Sequence, residues 1–250
     1  MRLDILQHGH NRKNRLVLRL MRALAGAEPD DVIKTSMYRS GFFGRPWIRL
    51  LRAVMRGESE WSAGERELFA AFTSQLNACH YCAGIHVGTT VLSLDPTITV
   101  DRLDHWREAG FEPQLEATLG LLEKVTLLPD DVVPGDIEKV RAAGVSEAAI
   151  VDALHVCFLF NVVNRMADAL GYDYGSEADA IKVAATLNRI GYRFPGFCCA
   201  ELTSRRWVNL LACAGGVIAP VRRATAPLGG HEERDSEGHR SGPGTRIMRI

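Results

Sequence analysis

The chain has 250 residues, of which 46% are hydrophobic and 24% charged, the mix of a soluble globular protein rather than a disordered or fibrous one. Its 30 Lys and Arg balance 30 Asp and Glu, so no global basic excess directs it to nucleic acid or an anionic membrane. Six cysteines are too sparse for a disulfide scaffold. Arg2, Asp4 and the polar stretch from His8 to Asn14 offer no apolar core of a secretory signal. The expected compartment is reducing and cytoplasmic.

In chain order the pattern is helical nearly throughout. Leu16, Leu20 and Leu24, with Val17 and Met21, form an apolar stripe opposed by Arg12, Lys13, Arg15, Arg19 and Arg22, which predicts a docked helix with a solvated face. Pro29-Asp30-Asp31 opens the next helix, and Gly41 and Gly44-Arg45-Pro46 break the chain before an apolar-striped helix over Trp47–Met55. Ser62 followed by Glu65 is a capping box for a helix running to about Leu76. Asn77 is the expected N-cap of a helix from Cys79 to about Leu92. Further helices are expected over Thr99–Ala109, Gln114–Leu127, Pro134–Ala143, Ser146–Leu170 and Glu177–Arg189, with Gly110, Gly144, Gly171 and Gly175 as breakers. No sustained period-two alternation argues for a sheet, so the expected fold class is all-α.

Two uncharged runs were candidates for membrane spans. Leu68–Leu94 carries too many polar side chains for lipid, and Trp207–Val221 is short and broken by Asn209, Gly215, Gly216 and Pro220. The first reads as helices buried inside protein. Residues 201–221 read as an apolar C-terminal extension, and 222–250, rich in glycine, proline, serine and mixed charges, as a disordered tail. A shift of 84 positions places Ser62 on Ser146 and Asn77 on Asn161, which suggests two similar helical hairpins. In the second, Val163 and Met166 stand where the first has Cys79 and Cys82.

The segment that carries chemistry is Asn77-Ala78-Cys79-His80-Tyr81-Cys82-Ala83-Gly84-Ile85-His86. Cys79 and Cys82, three apart, can bring their sulfurs together, and His86 lies four past Cys82 on one helical face. A helix start favours a thiolate, His86 can serve as base, and Glu67 on the preceding helix can orient it. Structural zinc needs a fourth ligand, and His80 points to a different face. Haem attachment requires His where Ala83 stands. Cys157 and His155 read as core residues, although His155 could also approach the site. Cys198-Cys199 and Cys213 read as free thiols, and His105 as surface.

Glu67 followed by Cys79-x-x-Cys82-x-x-x-His86 resembles the motif of the carboxymuconolactone decarboxylase/AhpD-like superfamily, nearest its peroxidase-related, alkylhydroperoxidase-like branch. Trp61-Ser62 leading into Glu65-Arg66-Glu67, and Phe160-Asn161 with Asn164-Arg165, add to the likeness, which covers roughly residues 3–196. The resemblance implies an AhpD-like all-helical domain over 1–200, with a CxxC-bearing half at about 30–100 and a second half at about 113–175. It implies trimers or hexamers, no cofactor beyond a redox-active Cys79–Cys82 disulfide, and no metal. Cys82 would be the peroxidatic cysteine, Cys79 the resolving one, and Glu67 with His86 the proton relay. Tyr81 stands where the well-studied alkylhydroperoxidases carry a histidine, and with His80 it is a secondary candidate. The expected substrate is an organic hydroperoxide or hydrogen peroxide, and the expected reductant a dithiol protein or small thiol. A lactone decarboxylase, a thiol–disulfide oxidoreductase and a non-catalytic helical oligomer with a vestigial CxxC are the alternatives. A Cys82 thiol well below its ordinary pKa is a further expectation.

Overall fold

The computed structural model describes residues 1–25 and 28–193, which belong to one compact unit and contain eleven α-helices and no strand. The helices are α1 (Asp4–His8), α2 (Arg12–Ala25), α3 (Asp31–Tyr38), α4 (Arg45–Arg56), α5 (Ala63–Leu76), α6 (His80–Ser93), α7 (Val100–Asp104), α8 (Pro113–Leu127), α9 (Pro134–Ala142), α10 (Glu147–Leu170) and α11 (Glu177–Ile190). The expectations for Cys198, Cys199, Cys213, the 201–221 extension and the 222–250 tail fall outside the described residues.

Local signals set most boundaries. Ser62 accepts from the Glu65 amide at 3.1 Å while the Glu65 carboxylate accepts from the Ser62 amide at 2.7 Å, starting α5. Asp30, Ser146 and Ser176 cap α3, α10 and α11 through side-chain oxygens. Gly171, at φ 64, ends α10 in the left-handed region. The helix expected to reach Ala109 stops at Asp104. There the chain turns to bury Trp106 edge-on against Phe72, and Arg102 donates to the Ala109 carbonyl at 3.0 Å.

The core is organised around α5 and α10, which run parallel and in register. Near their starts, Trp61 Nε1 donates to the Ala149 carbonyl at 2.7 Å. Farther along, Asn77 Nδ2 donates to the amide oxygens of Asn161 (3.2 Å) and Asn164 (3.0 Å), and Asn164 Nδ2 donates to Ser74 Oγ at 3.0 Å. Helix α11 lies close on α6 because Gly88 carries no side chain: a Cβ there would stand 3.0 Å from that of Ala184.

Helix α10 is itself long and apolar enough to cross a membrane, which the sequence reading overlooked, yet half of it is buried inside this helical fold. Its outer face carries Val151, His155, Phe158 and Val162, so His155 is neither core nor part of the site. On α2 the docked residues are Val17, Leu18 and Met21, packed with Met37 and Ile33 of α3. Leu16 and Leu20, expected on the apolar stripe, face outward.

Candidate active site

The helical pattern breaks between α5 and α6, and the break builds the site. Asn77 is the C-cap of α5 rather than the N-cap of α6. Its side chain is drawn away to Asn161 and Asn164, so it is not available to the next helix. Ala78 then adopts φ 54, and Cys79 itself becomes the N-cap of α6. Cys79 is fully buried and Cys82 is 4% exposed.

The two thiols lie close enough that each shifts the other. The Cys82 thiol draws the Cys79 thiol below its ordinary value, against burial, and the Cys82 amide adds to the effect while Asp168 opposes it. The same contact with Cys79, together with burial and the charge on Cys79, pushes the Cys82 thiol well above its ordinary value, opposed by Asn164. The direction at Cys82 is therefore opposite to the expected depression, and the thiol drawn downward is Cys79.

Glu67, fully buried on α5, is the hub of a polar network. Its carboxylate accepts from Arg56 Nη2 at 2.6 Å, His86 Nδ1 at 2.7 Å, Thr89 Oγ1 at 2.9 Å and Tyr192 OH at 3.0 Å. Burial raises the Glu67 pKa, but the hydrogen bond and charge of His86 and the Arg56 guanidinium outweigh it and hold the carboxyl at about 2. An ionised carboxylate only accepts, so Nδ1 of His86 carries the proton and Nε2 is left as the basic nitrogen. Phe160 packs edge-on against the imidazole, centroids 4.6 Å apart, and fixes its plane.

Cys82, His86, Tyr81 and Ile85 of α6 line a cavity of about 550 Å³. Trp47 and Leu51 of α4, Phe160 and Val163 of α10, and Val183, Leu187 and Ile190 of α11 complete a largely apolar wall, with residues 28–34 along one side. Cys79 is not on that wall, so of the two thiols Cys82 is the one that faces it.

The sequence-predicted residues are thus brought together with one exception. His80 is exposed in the first turn of α6 and takes no part in the cavity. Tyr81 lies on the wall, its hydroxyl donating to Asp30 Oδ1 and its ring against Tyr172 and Tyr174. Burial and the Asp30 carboxylate push the Tyr81 phenol well above its ordinary value, which excludes it as a base. Cys157 is buried in the core, as expected, beside Thr126 and Asn161. No cluster of His, Cys, Asp or Glu among the described residues is placed to hold a metal ion.

Sequence reasoning missed Arg56, Thr89, Tyr192 and Asp30. Thr89 was findable, since it follows His86 by three on the face that meets Glu67. Tyr192 reaches Glu67 through two successive left-handed residues, Gly191 at φ 56 and Tyr192 at φ 60, and Arg56 lies over its ring at 4.9 Å.

No protein-family model matches the chain. It is 29% identical over 107 residues to the uncharacterized protein YdfG of Bacillus subtilis (strain 168), a stretch covering 42% of this chain and 73% of that protein. The crystal structure of an uncharacterized peroxidase-related protein from Silicibacter sp. TM1040 superposes with a TM-score of 0.60 at 24% identity, covering 69% of this chain and 90% of the other. An uncharacterized peroxidase-related protein from Ralstonia eutropha JMP134, described as an alkylhydroperoxidase AhpD core, gives 0.59 at 22% identity, covering 70% and 92%. The chain therefore has the all-helical fold of the alkylhydroperoxidase AhpD core.

Proposed function

We propose that the protein is a thiol-dependent hydroperoxide reductase in which Cys82 attacks and Cys79 resolves. The observation that carries this reading is the placement of Cys82, with Cys79 close by, and a buried, carboxylate-anchored His86 one turn apart on α6 at the wall of an apolar cavity. An apolar wall suits an organic hydroperoxide better than hydrogen peroxide.

The dithiol loses one proton to Nε2 of His86. The proton that remains moves onto Cys79 and leaves the Cys82 sulfur as the thiolate facing the cavity. That thiolate attacks the terminal oxygen of ROOH: the O–O bond breaks, Cys82 becomes a sulfenic acid, and RO⁻ takes up a proton and leaves as the alcohol. The Cys79 thiol then attacks the sulfenic sulfur, a disulfide forms, and water departs with the Cys79 proton. A dithiol carrier or small thiol of a reducing, cytoplasmic compartment returns the disulfide to two thiols. The directions of the two shifts leave that proton on Cys82 in the resting pair, so its transfer to the adjacent Cys79 must precede attack.

The exposed Val151, Phe158 and Val162 of α10 form an apolar stripe of the kind a second copy of the chain would cover, in keeping with a homo-oligomer.

The test is turnover of cumene hydroperoxide with dithiothreitol as reductant. The wild type should consume peroxide catalytically, and Cys82→Ser should reduce the rate to that of dithiothreitol alone. Equal turnover by the two proteins would remove the proposed role of Cys82.

A further inference from the structure

We propose that Tyr81, backed by Asp30, is the acid that protonates the departing alkoxide; this rests on the hydroperoxide-reductase reading above.

The reaction needs two proton carriers with different duties. One takes a proton from the dithiol, and the Glu67-anchored His86, four residues past Cys82 on the same face of α6, is built for that. The other must give a proton to the oxygen that leaves on the far side of the attacked one. Tyr81 precedes Cys82 and stands about 100° round the helix from it. Its hydroxyl is hydrogen-bonded to the Asp30 carboxyl at the start of α3, and both residues line the cavity that Cys82 faces.

Nothing in the thiol chemistry uses this pair, and its surroundings suit a proton donor. Asp30 is raised above its ordinary pKa by burial, against the hydrogen bonds from Tyr81 and the Val32 amide, with Asp31 adding to the rise and Lys34 opposing it. For the pair to act as an acid, Asp30 takes up a proton and donates it to the phenol oxygen, which turns the phenol proton toward the cavity. When the O–O bond breaks, RO⁻ takes the Tyr81 proton and Tyr81 takes the Asp30 proton. The alcohol leaves, and the pair ends as a carboxylate accepting from a phenol. Tyr81 is thus the catalytic acid and Asp30 the residue that positions and recharges it.

The discriminating measurement is the rate constant for sulfenic acid formation in single-turnover mixing, with two oxidants. tert-Butyl hydroperoxide expels a strongly basic alkoxide that needs a proton, whereas peracetic acid expels acetate, which does not. Tyr81→Phe, which keeps the ring packing, should lose about 100-fold with tert-butyl hydroperoxide but about threefold or less with peracetic acid. Asp30→Asn, which retains the cap on α3, should show the same selectivity. Equal losses with both oxidants would reduce the pair to a structural contact, and no loss with either would remove it from the reaction. A wild type inert to both oxidants overturns the reductase reading itself, whereas a reactive wild type with non-selective variants overturns only the acid.

Discussion

Helix α10 and the α5–α6 pair begin with the same kind of signal, a serine cap at Ser146 and at Ser62, and then diverge. Helix α10 continues through Asn161 for 24 residues, whereas the first segment breaks at Asn77 and restarts at His80. The break costs a left-handed Ala78 and the loss of helical hydrogen bonds. In return it places a thiol at a helix start. At the matching positions α10 carries Val151 for Glu67, Val163 for Cys79, Met166 for Cys82 and Leu170 for His86. The unbroken helix serves as a wall of packing, and the broken one holds the cysteine pair and the imidazole to which the proposed chemistry is assigned.

The largest effect expected from disturbing the broken half is at Glu67. Glu67→Gln should lower the rate of sulfenic acid formation by about 100-fold, since His86 loses the charge that orients it. It should also destabilise the fold, because Arg56 is left with a neutral partner. The Glu67 carboxyl lies at about 2 in the folded protein, below its reference of 4.5. Its contribution is therefore fully present above the unfolded value and lost as the pH falls from about 4.5 toward 2; it amounts to about 3 kcal/mol. Chemical denaturation across that window should show a steeper loss for the wild type than for Glu67→Gln, and parallel curves would contradict the account.

Tyr192→Phe removes one of the hydrogen bonds to the same carboxylate and should cost about 1–2 kcal/mol in urea unfolding while leaving the rate within about threefold. The smallest effect is at the break itself. Ala78→Gly relieves a left-handed alanine at the cost of a more flexible unfolded chain, so stability should change by less than about 1 kcal/mol with activity retained. A large loss of stability would show that the methyl group packs and that the break is held differently. The corresponding change on α10, Val162→Gly, puts glycine into a continuous helix and should cost about 0.5 kcal/mol in helix propensity, plus the packing of a half-exposed side chain.

How far the sequence disclosed this follows from the range of the interactions. The capping box at Ser62 and Glu65 and the stop at Gly171 are local, so pattern alone placed them. The Cys79–Cys82 pair and His86 share one helix and were equally legible. Glu67 lies one helix away and was legible as a carboxylate on the preceding helix able to orient His86, a reading that the resemblance then strengthened. Asp30, 51 positions from Tyr81, and Tyr192, 125 positions from Glu67, meet their partners only in the folded chain. The Cys82 thiol was misjudged because the contact with Cys79 and its burial in the folded chain, rather than the helix start, set the direction of its shift.

The most direct test of the account is a count of free thiols on the fully reduced protein, six cysteines in all, before and after one equivalent of cumene hydroperoxide. The account predicts rapid loss of two thiols in the wild type and none on that timescale in Cys82→Ser. In Cys79→Ser a single thiol should be lost, with a trappable sulfenic acid on Cys82. Retention of all thiols by the wild type, or a sulfenic acid formed on Cys79 in Cys82→Ser at the wild-type rate, would contradict it.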